Sequence, residues 1–395
     1  SGSMASRYER CHRENRYPIR SWTQVDFIQG NRTAEYLFVR LYCRKIYSRN
    51  IHPGWKGNLL VPQGNRPEES RPMSRDRIGS LWLEDYTAIP YPFAKYDLII
   101  LPGFQFGGME HTGATFYTDR RMFLNENPTL NEQLSRSALI AHETAHMWFG
   151  DYVTMQWFDD VWTKEVFANY FASQIVEPLY PSVNHALNFM QDYIPPAYAE
   201  DRTAGANPIK QELDNLRNAG LVYGNIIYDK SPVVLEMLIK KMGKESFRKG
   251  IQEYLKTYAY GNATWEGLIG ILDTYTDDDL SGWSHIWVNE KGMPEIAVSI
   301  VGDSLVVSQK DPFGRGLNWP QDLTYLIVPK TGEPEEISVS FGRNSNSIRK
   351  KLKTVPEEGS FIIPNTDGKG YGFFRLNEAD AKACAAYLSV CENEL

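Results

Sequence analysis

Ser137-Ala138-Leu139-Ile140-Ala141-His142-Glu143-Thr144-Ala145-His146 (residues 137–146) decides how this chain is read. Leu134, Ala138, Ala141, Ala145 and Trp148 recur at helical spacing, which predicts a helix capped at Asn131 and stopped near Gly150. At ~100° per residue, side chains four apart point within roughly 40° of each other, so His142 and His146 share one face. Both imidazoles then reach one metal ion about 2 Å away. Glu143 falls on the flank of that face, where it touches a water on the metal without ligating the metal itself. Two solvated or core histidines on a helix would give the same spacing by accident, so the surrounding sequence has to decide.

Working outward, the next apolar-periodic stretch runs from Val161 to Val176 and stops before Pro178. It carries Glu165 among Trp162, Val166 and Phe167, where a carboxylate is costly to bury unless it is paired or bound to a metal. Eighteen residues separate His146 from Glu165, enough for a turn and an antiparallel return. Two His and one Glu leave the fourth position of a tetrahedral zinc open, as in catalytic rather than structural sites. Calcium would want more oxygens, and a non-haem iron triad rarely carries a flanking Glu on the same helix, so the expected cofactor is one Zn2+ per chain.

Four blocks in fixed order make a resemblance specific. They are Tyr91-Pro92-Phe93-x-Lys95-Tyr96-Asp97 before a strand, Gly107-Gly108-Met109-Glu110, the H-E-x-x-H stretch with its gap to Glu165, and Tyr228-Asp229-Lys230 before an apolar run. With Trp287-Val288…Gly292-Met293-Pro294 and Ile363-Pro364-Asn365…Gly370-Tyr371-Gly372, residues from about 89 to 376 resemble the aminopeptidase N family of zinc peptidases, which includes the leukotriene-hydrolase branch. Thermolysin-like proteases share the first two ligands, but their third comes one residue later.

The resemblance implies a zinc aminopeptidase that removes the N-terminal residue of peptides. It assigns His142, His146 and Glu165 to the metal, Glu143 to general-base work and Tyr228 to the oxyanion. Glu110 would pair with the substrate's free α-ammonium, while Gly107, Gly108 and Met109 let an extended peptide approach. Asn169, one turn beyond Glu165, is expected beside a ligand. The implied partners are peptides with a free N-terminal amine. Departures from the family pattern are His111, where Asn is usual, and Lys164 and Val166 around Glu165, where Asn and Gly are usual; His111 is either an extra ligand or a hydrogen-bonded loop residue. Other readings of the same residues are a silent peptide-binding scaffold, or an endopeptidase or epoxide hydrolase using the same zinc.

The expected fold class is α+β. A thermolysin-like, mainly helical catalytic domain spans 78–291 and a small β-sandwich spans 292–377, followed by a helical tail over 378–395. Tyr223 to Met242 reads as a helix with a break or fresh start at Pro232, and Thr264-Trp265-Glu266 opens another. After Gly292-Met293-Pro294 the period changes from 3.6 to 2, with a hairpin turn at Gly302-Asp303 and further strands at Leu323–Val328, Ile337–Phe341, Phe361–Ile363 and Tyr371–Leu376. Ser1-Gly2-Ser3-Met4 reads as a cloning scar. Residues 5–77 read as a basic remnant of an otherwise absent N-terminal β-domain, strand-like from Trp22 to Tyr47 and loop over 50–77.

Composition sets the outer limits. The chain has 395 residues, 42% hydrophobic, enough to bury a large core and to exclude wholesale disorder. No uncharged apolar run is long enough to span a bilayer, so a soluble protein of undetermined compartment is expected. Four cysteines without C-x-x-C spacing exclude a disulfide scaffold and a cysteine-zinc cluster. Residues 1–77 hold fifteen Lys/Arg and seven Asp/Glu, or +8, so the remainder carries −15 of the net −7. That split is read as a basic segment on an acidic body, and no nucleic-acid partner is expected.

Overall fold

The fold is described from a computed structural model, over residues 46–50, 58–62 and 76–388. The expected strands before Ile46 and the residues after Leu388, Cys391 among them, lie outside the described residues. Helices and sheets are mixed, and the described chain falls into two compact units. One holds the residues up to Asp151 together with Gln174–Leu179; the other holds Tyr152–Ser173 and everything from Tyr180 onward.

The first unit is built on a five-stranded sheet. Its elements are β1 (Ile46–Asn50), β2 (Asn58–Pro62), α1 (Asp76–Thr87), β3 (Asp97–Leu101), β4 (Gly108–Met109), β5 (Ala114–Thr118), α2 (Asp119–Met122) and α3 (Leu130–Ala145). The strand order is β1-β2-β3-β5-β4, which leaves β4 at an edge. Strand β2 corrects the loop expected over 50–77: Asn58–Pro62 pairs antiparallel with β1 and parallel with β3. All five residues of β3 are buried, as a central strand flanked by parallel neighbours requires. Helix α1 packs on α3.

Helix α3 starts earlier than the Asn131 reading. Thr129 is its cap, accepting from the Glu132 amide at 3.2 Å, while Glu132 Oε2 accepts from the Thr129 amide at 2.8 Å. The reciprocal pair satisfies two orphan donors, which an Asn131 cap would not.

The second unit contains β6 (Val153–Met155), α4 (Trp162–Val176, of which residues up to Ser173 belong here), α5 (His185–Asp201), α6 (Ser231–Met242), α7 (Lys244–Thr257), β7 (Gly261–Ala263), α8 (Trp265–Asp273) and α9 (Leu280–Ser284). Pro232 sits in the first turn of α6, the fresh-start reading, and a π-helical turn, Ile226–Lys230, precedes it. Helix α5 packs against that turn.

Two sheets follow. Their strands are β8 (Glu295–Val301), β9 (Ser304–Lys310), β10 (Gln321–Val328), β11 (Glu335–Phe341), β12 (Ser347–Lys351), β13 (Phe361–Pro364) and β14 (Phe373–Arg375), and α10 (Glu378–Leu388) closes the described chain. The orders are β12-β9-β8-β14 and β11-β10-β13. Val301 and Ser304 pair across Gly302-Asp303, the expected two-residue hairpin. Ile296, Leu305 and Val307 from one sheet share a core with Leu323, Tyr325, Ile337 and Ile362 from the other. Cys384 on α10 is buried, its Sγ 3.2 Å from the Ile362 carbonyl. Among the described residues, no helix is long and apolar enough to cross a membrane.

Candidate active site

In the first unit, the Tyr91–Asp97 block braces the inner side of α3. The Tyr96 hydroxyl lies 3.1 Å from Thr144 Oγ1 and 2.9 Å from the Tyr117 hydroxyl, while Thr144 Oγ1 donates back to the Ile140 carbonyl at 2.7 Å. Tyr91 donates to the Lys95 carbonyl and meets the Trp148 ring edge-on, and Trp148 Nε1 donates to the Ile89 carbonyl at 3.1 Å. Burial pushes the Tyr96 phenol well above its ordinary pKa, so it stays a neutral hydrogen-bonding strut. Thr144, within the H-E-x-x-H stretch, therefore ties the helix rotation to Tyr96.

That rotation brings His142 and His146 together. Their Nε2 atoms are 3.1 Å apart, and the rings meet nearly perpendicular at 87°. Nδ1 of His146 lies 3.0 Å from the Phe149 carbonyl oxygen, which can only accept. Nδ1 therefore carries the proton, and the Nε2 lone pair points at the space shared with His142. Two nitrogens ~2.05 Å from a tetrahedral ion are separated by about 3.3 Å, so the donor pair fits a zinc-sized metal.

Two carboxylates share this pocket. Glu110 and Glu143 are both buried, and one ligand-capable atom of each lies within 4.8 Å of the other and of His146. Glu110 follows the edge strand β4, in which Gly108 pairs with Tyr117 and Met109 with Phe116. Gly107 turns its carbonyl to the Thr118 amide at 3.0 Å. Gly108 leaves room for Glu143: a Cβ there would run into the Glu143 carboxylate unless one of them shifted. His111 packs edge-on against Phe116 at 4.9 Å, the loop reading, and is outside the group formed by Glu110, Glu143 and His146.

In the second unit, Glu165 lies in the first turn of α4 and is buried, as are Trp162 and Val166 near it in sequence. Its Oε1 is 2.9 Å from Lys164 Nζ, an ion pair between neighbours that the sequence reading did not anticipate. Asn169 Nδ2 reaches the carbonyl of Tyr228 at 3.4 Å, so it touches the tyrosine's backbone as well as following Glu165 by one turn. Tyr228 is half-buried in the π-helical turn, its ring stacked on Tyr223 at 6.0 Å and 26°. Such turns recur at functional sites because they re-aim one side chain relative to a regular helix. Asp229 beside it is pushed up to about pKa 6, by burial first and then by the charges of Glu200 and Asp192.

Sequence reasoning missed what holds that turn. Lys230 is fully buried and pairs with the equally buried Asp201 at 2.9 Å. The signal was present in Tyr228-Asp229-Lys230: a lysine directly before an apolar run must find an anion if the run is buried.

Comparison with known proteins places the sequence in a family. Residues 79–287, more than half of the chain, match the peptidase family M1 domain. A probable aminopeptidase 1 of Sulfurisphaera tokodaii is 33% identical over 282 residues, covering 69% of this chain and 36% of the relative. Aminopeptidase N of Lactococcus lactis subsp. cremoris is 34% identical over 265 residues, covering 65% and 31%. Aminopeptidase M1-B of Oryza sativa subsp. japonica is 28% identical over 328 residues, covering 79% and 36%. The chain thus spans about a third of the length of the curated relatives it matches. With the paired histidines, the flanking glutamates and the family match in place, this chain belongs to peptidase family M1.

Proposed function

We propose that this protein is a zinc-dependent aminopeptidase that releases the N-terminal residue of peptides. The observation that carries the reading is the convergence of His142 Nε2 and His146 Nε2 at 3.1 Å, beside the buried carboxylates of Glu143 and Glu110. His142 and His146 would hold the ion with Glu165 as third ligand, the assignment supported by family membership and the eighteen-residue spacing. The catalytic domain is read as thermolysin-like over about 78–291, with the β-sandwich of 292–377 behind it.

Zinc, when bound, supplies a Lewis acid for the scissile carbonyl and acidifies water. Glu143, on the flank of the histidine face, takes the proton from the attacking water and delivers it to the leaving amine. Tyr228 donates its O–H to the oxygen on which negative charge develops. Glu110 pairs with the substrate's α-ammonium and so fixes the scissile bond one residue from the N-terminus. A charge-assisted bond of this kind is worth ~1.5–3 kcal/mol, enough to select free amines. The outer edge of β4 offers Gly108 and Met109 backbone groups to an extended peptide, in the manner of strand addition.

The test is hydrolysis of aminoacyl fluorogenic substrates before and after chelation and zinc return, with Glu143→Gln alongside. Zinc-dependent turnover, reduced at least ~10²-fold in Glu143→Gln, is expected. A zinc-loaded protein with no turnover would favour the silent scaffold.

A further inference from the structure

The Lys230–Asp201 pair lies entirely inside the second unit, and the chemistry above makes no use of it. Both side chains are fully shielded from solvent. Lys230 Nζ lies 2.9 Å from Asp201 Oδ2 as an ion pair, donates to the Gly292 carbonyl at 2.9 Å, and sits 5.7 Å from the centre of the Tyr371 ring. Asp201 Oδ1 accepts from the Gly292 amide at 3.1 Å. Cation and anion thus bracket one residue, Gly292, whose φ of +86° and close approach to the Phe313 ring exclude a side chain.

Burying a lysine and an aspartate this deeply is expensive, and apolar replacements of the same volume often give equal or greater stability. What the pair supplies is position. Asp201 ends α5, Lys230 ends the π-helical turn, and Gly292 lies just before β8. Tyr228 sits two residues before Lys230 in the same turn. Other contacts of the turn include Ser231 Oγ on the Ile227 carbonyl, Asn169 on the Tyr228 carbonyl, and the Tyr223 ring stacked on the Tyr228 ring. The ion pair ties the turn to α5 and, through Gly292, to the residues just before β8. A π-turn carries one residue more than an α-turn, and the ion pair fixes its last residue, Lys230, against α5 and Gly292.

We propose that Lys230 and Asp201 are positioning residues that set the register of the π-helical turn and thereby aim the Tyr228 hydroxyl. The inference rests on the reading of Tyr228 as the oxyanion donor. It predicts that loss of the pair reduces turnover through Tyr228 and through no other group.

Replacing Lys230 alone would leave Asp201 buried without its cation and could unfold the chain, so the informative variant is Asp201→Asn with Lys230→Met. It is compared with Tyr228→Phe, the triple variant and the unaltered 395-residue chain. All four are assayed for kcat, KM, zinc content and thermal midpoint. The expected result is a ~10–100-fold fall in kcat for the double variant, with KM within about threefold and zinc retained, and less than about twofold further loss when the same changes are made on Tyr228→Phe. An equal loss in both backgrounds, an unchanged kcat, or loss of zinc from the double variant would overturn the proposal. If Tyr228→Phe by itself costs nothing, the role of Tyr228 fails and this inference with it. Glu143→Gln, which leaves the pair untouched, shows separately whether the peptidase reading stands.

Discussion

His146 Nδ1 donates to the Phe149 carbonyl at 3.0 Å, and this one bond determines which ring nitrogen can bind a metal. Phe149 lies just past the end of α3, where the chain leaves the helix after His146. The helix terminus therefore supplies both a candidate ligand and the acceptor that sets its tautomer. His142 Nε2, one turn back, faces the lone pair so exposed. The arrangement of the two Nε2 atoms is thus set by the helix end itself.

Gly108 gives the most local prediction. A Cβ at this position would meet the Glu143 carboxylate, so Gly108→Ala must displace either Glu143, the proposed general base, or strand β4. A displacement of about 1 Å at a reacting group can cost ~10²-fold, so kcat should fall by ~10–100-fold while zinc stays bound. Metal analysis of the purified variant beside its kcat checks this; unchanged kcat would show that Glu143 has slack the structure does not display.

Lys164 makes a prediction about affinity. Its ammonium holds Glu165 Oε1 at 2.9 Å, and a cation beside a ligating carboxylate competes with the metal for its charge. On the reading that Glu165 is the third ligand, Lys164→Asn should tighten zinc binding, on the order of tenfold, a typical size for an outer partner of a ligand. Chelator competition measures it. Weaker binding would mean that Lys164 orients Glu165 more than it opposes the ion.

Asp229 sets a pH dependence of unusual sign. Its carboxyl is raised to about 6 in the fold, through burial and the neighbouring Glu200 and Asp192, from an ordinary value of 3.8. The folded state therefore binds more protons than the unfolded state between these values, and stability falls as pH rises through them. The destabilisation is complete above about pH 6 and absent below the ordinary carboxylate range. Asp229→Asn should raise the thermal midpoint at pH 8, with a gain that shrinks through pH 6 and vanishes near pH 4. A gain that is the same at all pH values would exclude charge as its cause.

Legibility in the sequence followed the range of the forces involved. Helix α3, the hairpin at Gly302-Asp303 and the alternating core strands β8 to β11 were readable because periodicity alone places them. The Thr129 cap was also readable, since Thr129-x-x-Glu132 is a capping-box pattern, but Asn131 stood nearer the apolar run. Strand β2 hides among Gly, Pro and Asn because its pairing with β1, close in sequence, and with β3, distant in sequence, calls it into being. Strand β12, Ser347–Lys351, carries Arg349, Lys350 and Lys351 at a sheet edge, where charge discourages further pairing and removes the apolar alternation that would have revealed it. At the site, the histidines and glutamates were legible as a motif. The Lys230–Asp201 pair was not, because its partner lies on another helix, and nothing local to Lys230 specifies which anion it meets.

The claim that Glu110 makes this an exopeptidase is tested most directly with one peptide in two forms, free and Nα-acetylated, given to the zinc-loaded protein. Product release is followed by mass spectrometry. The account predicts loss of the first residue from the free peptide, with the acetylated peptide disfavoured by ~10–100-fold, as a charge-assisted bond of ~1.5–3 kcal/mol requires, and a narrowing of that preference in Glu110→Ala. Equal cleavage of both forms, or cleavage at an internal bond, would contradict it.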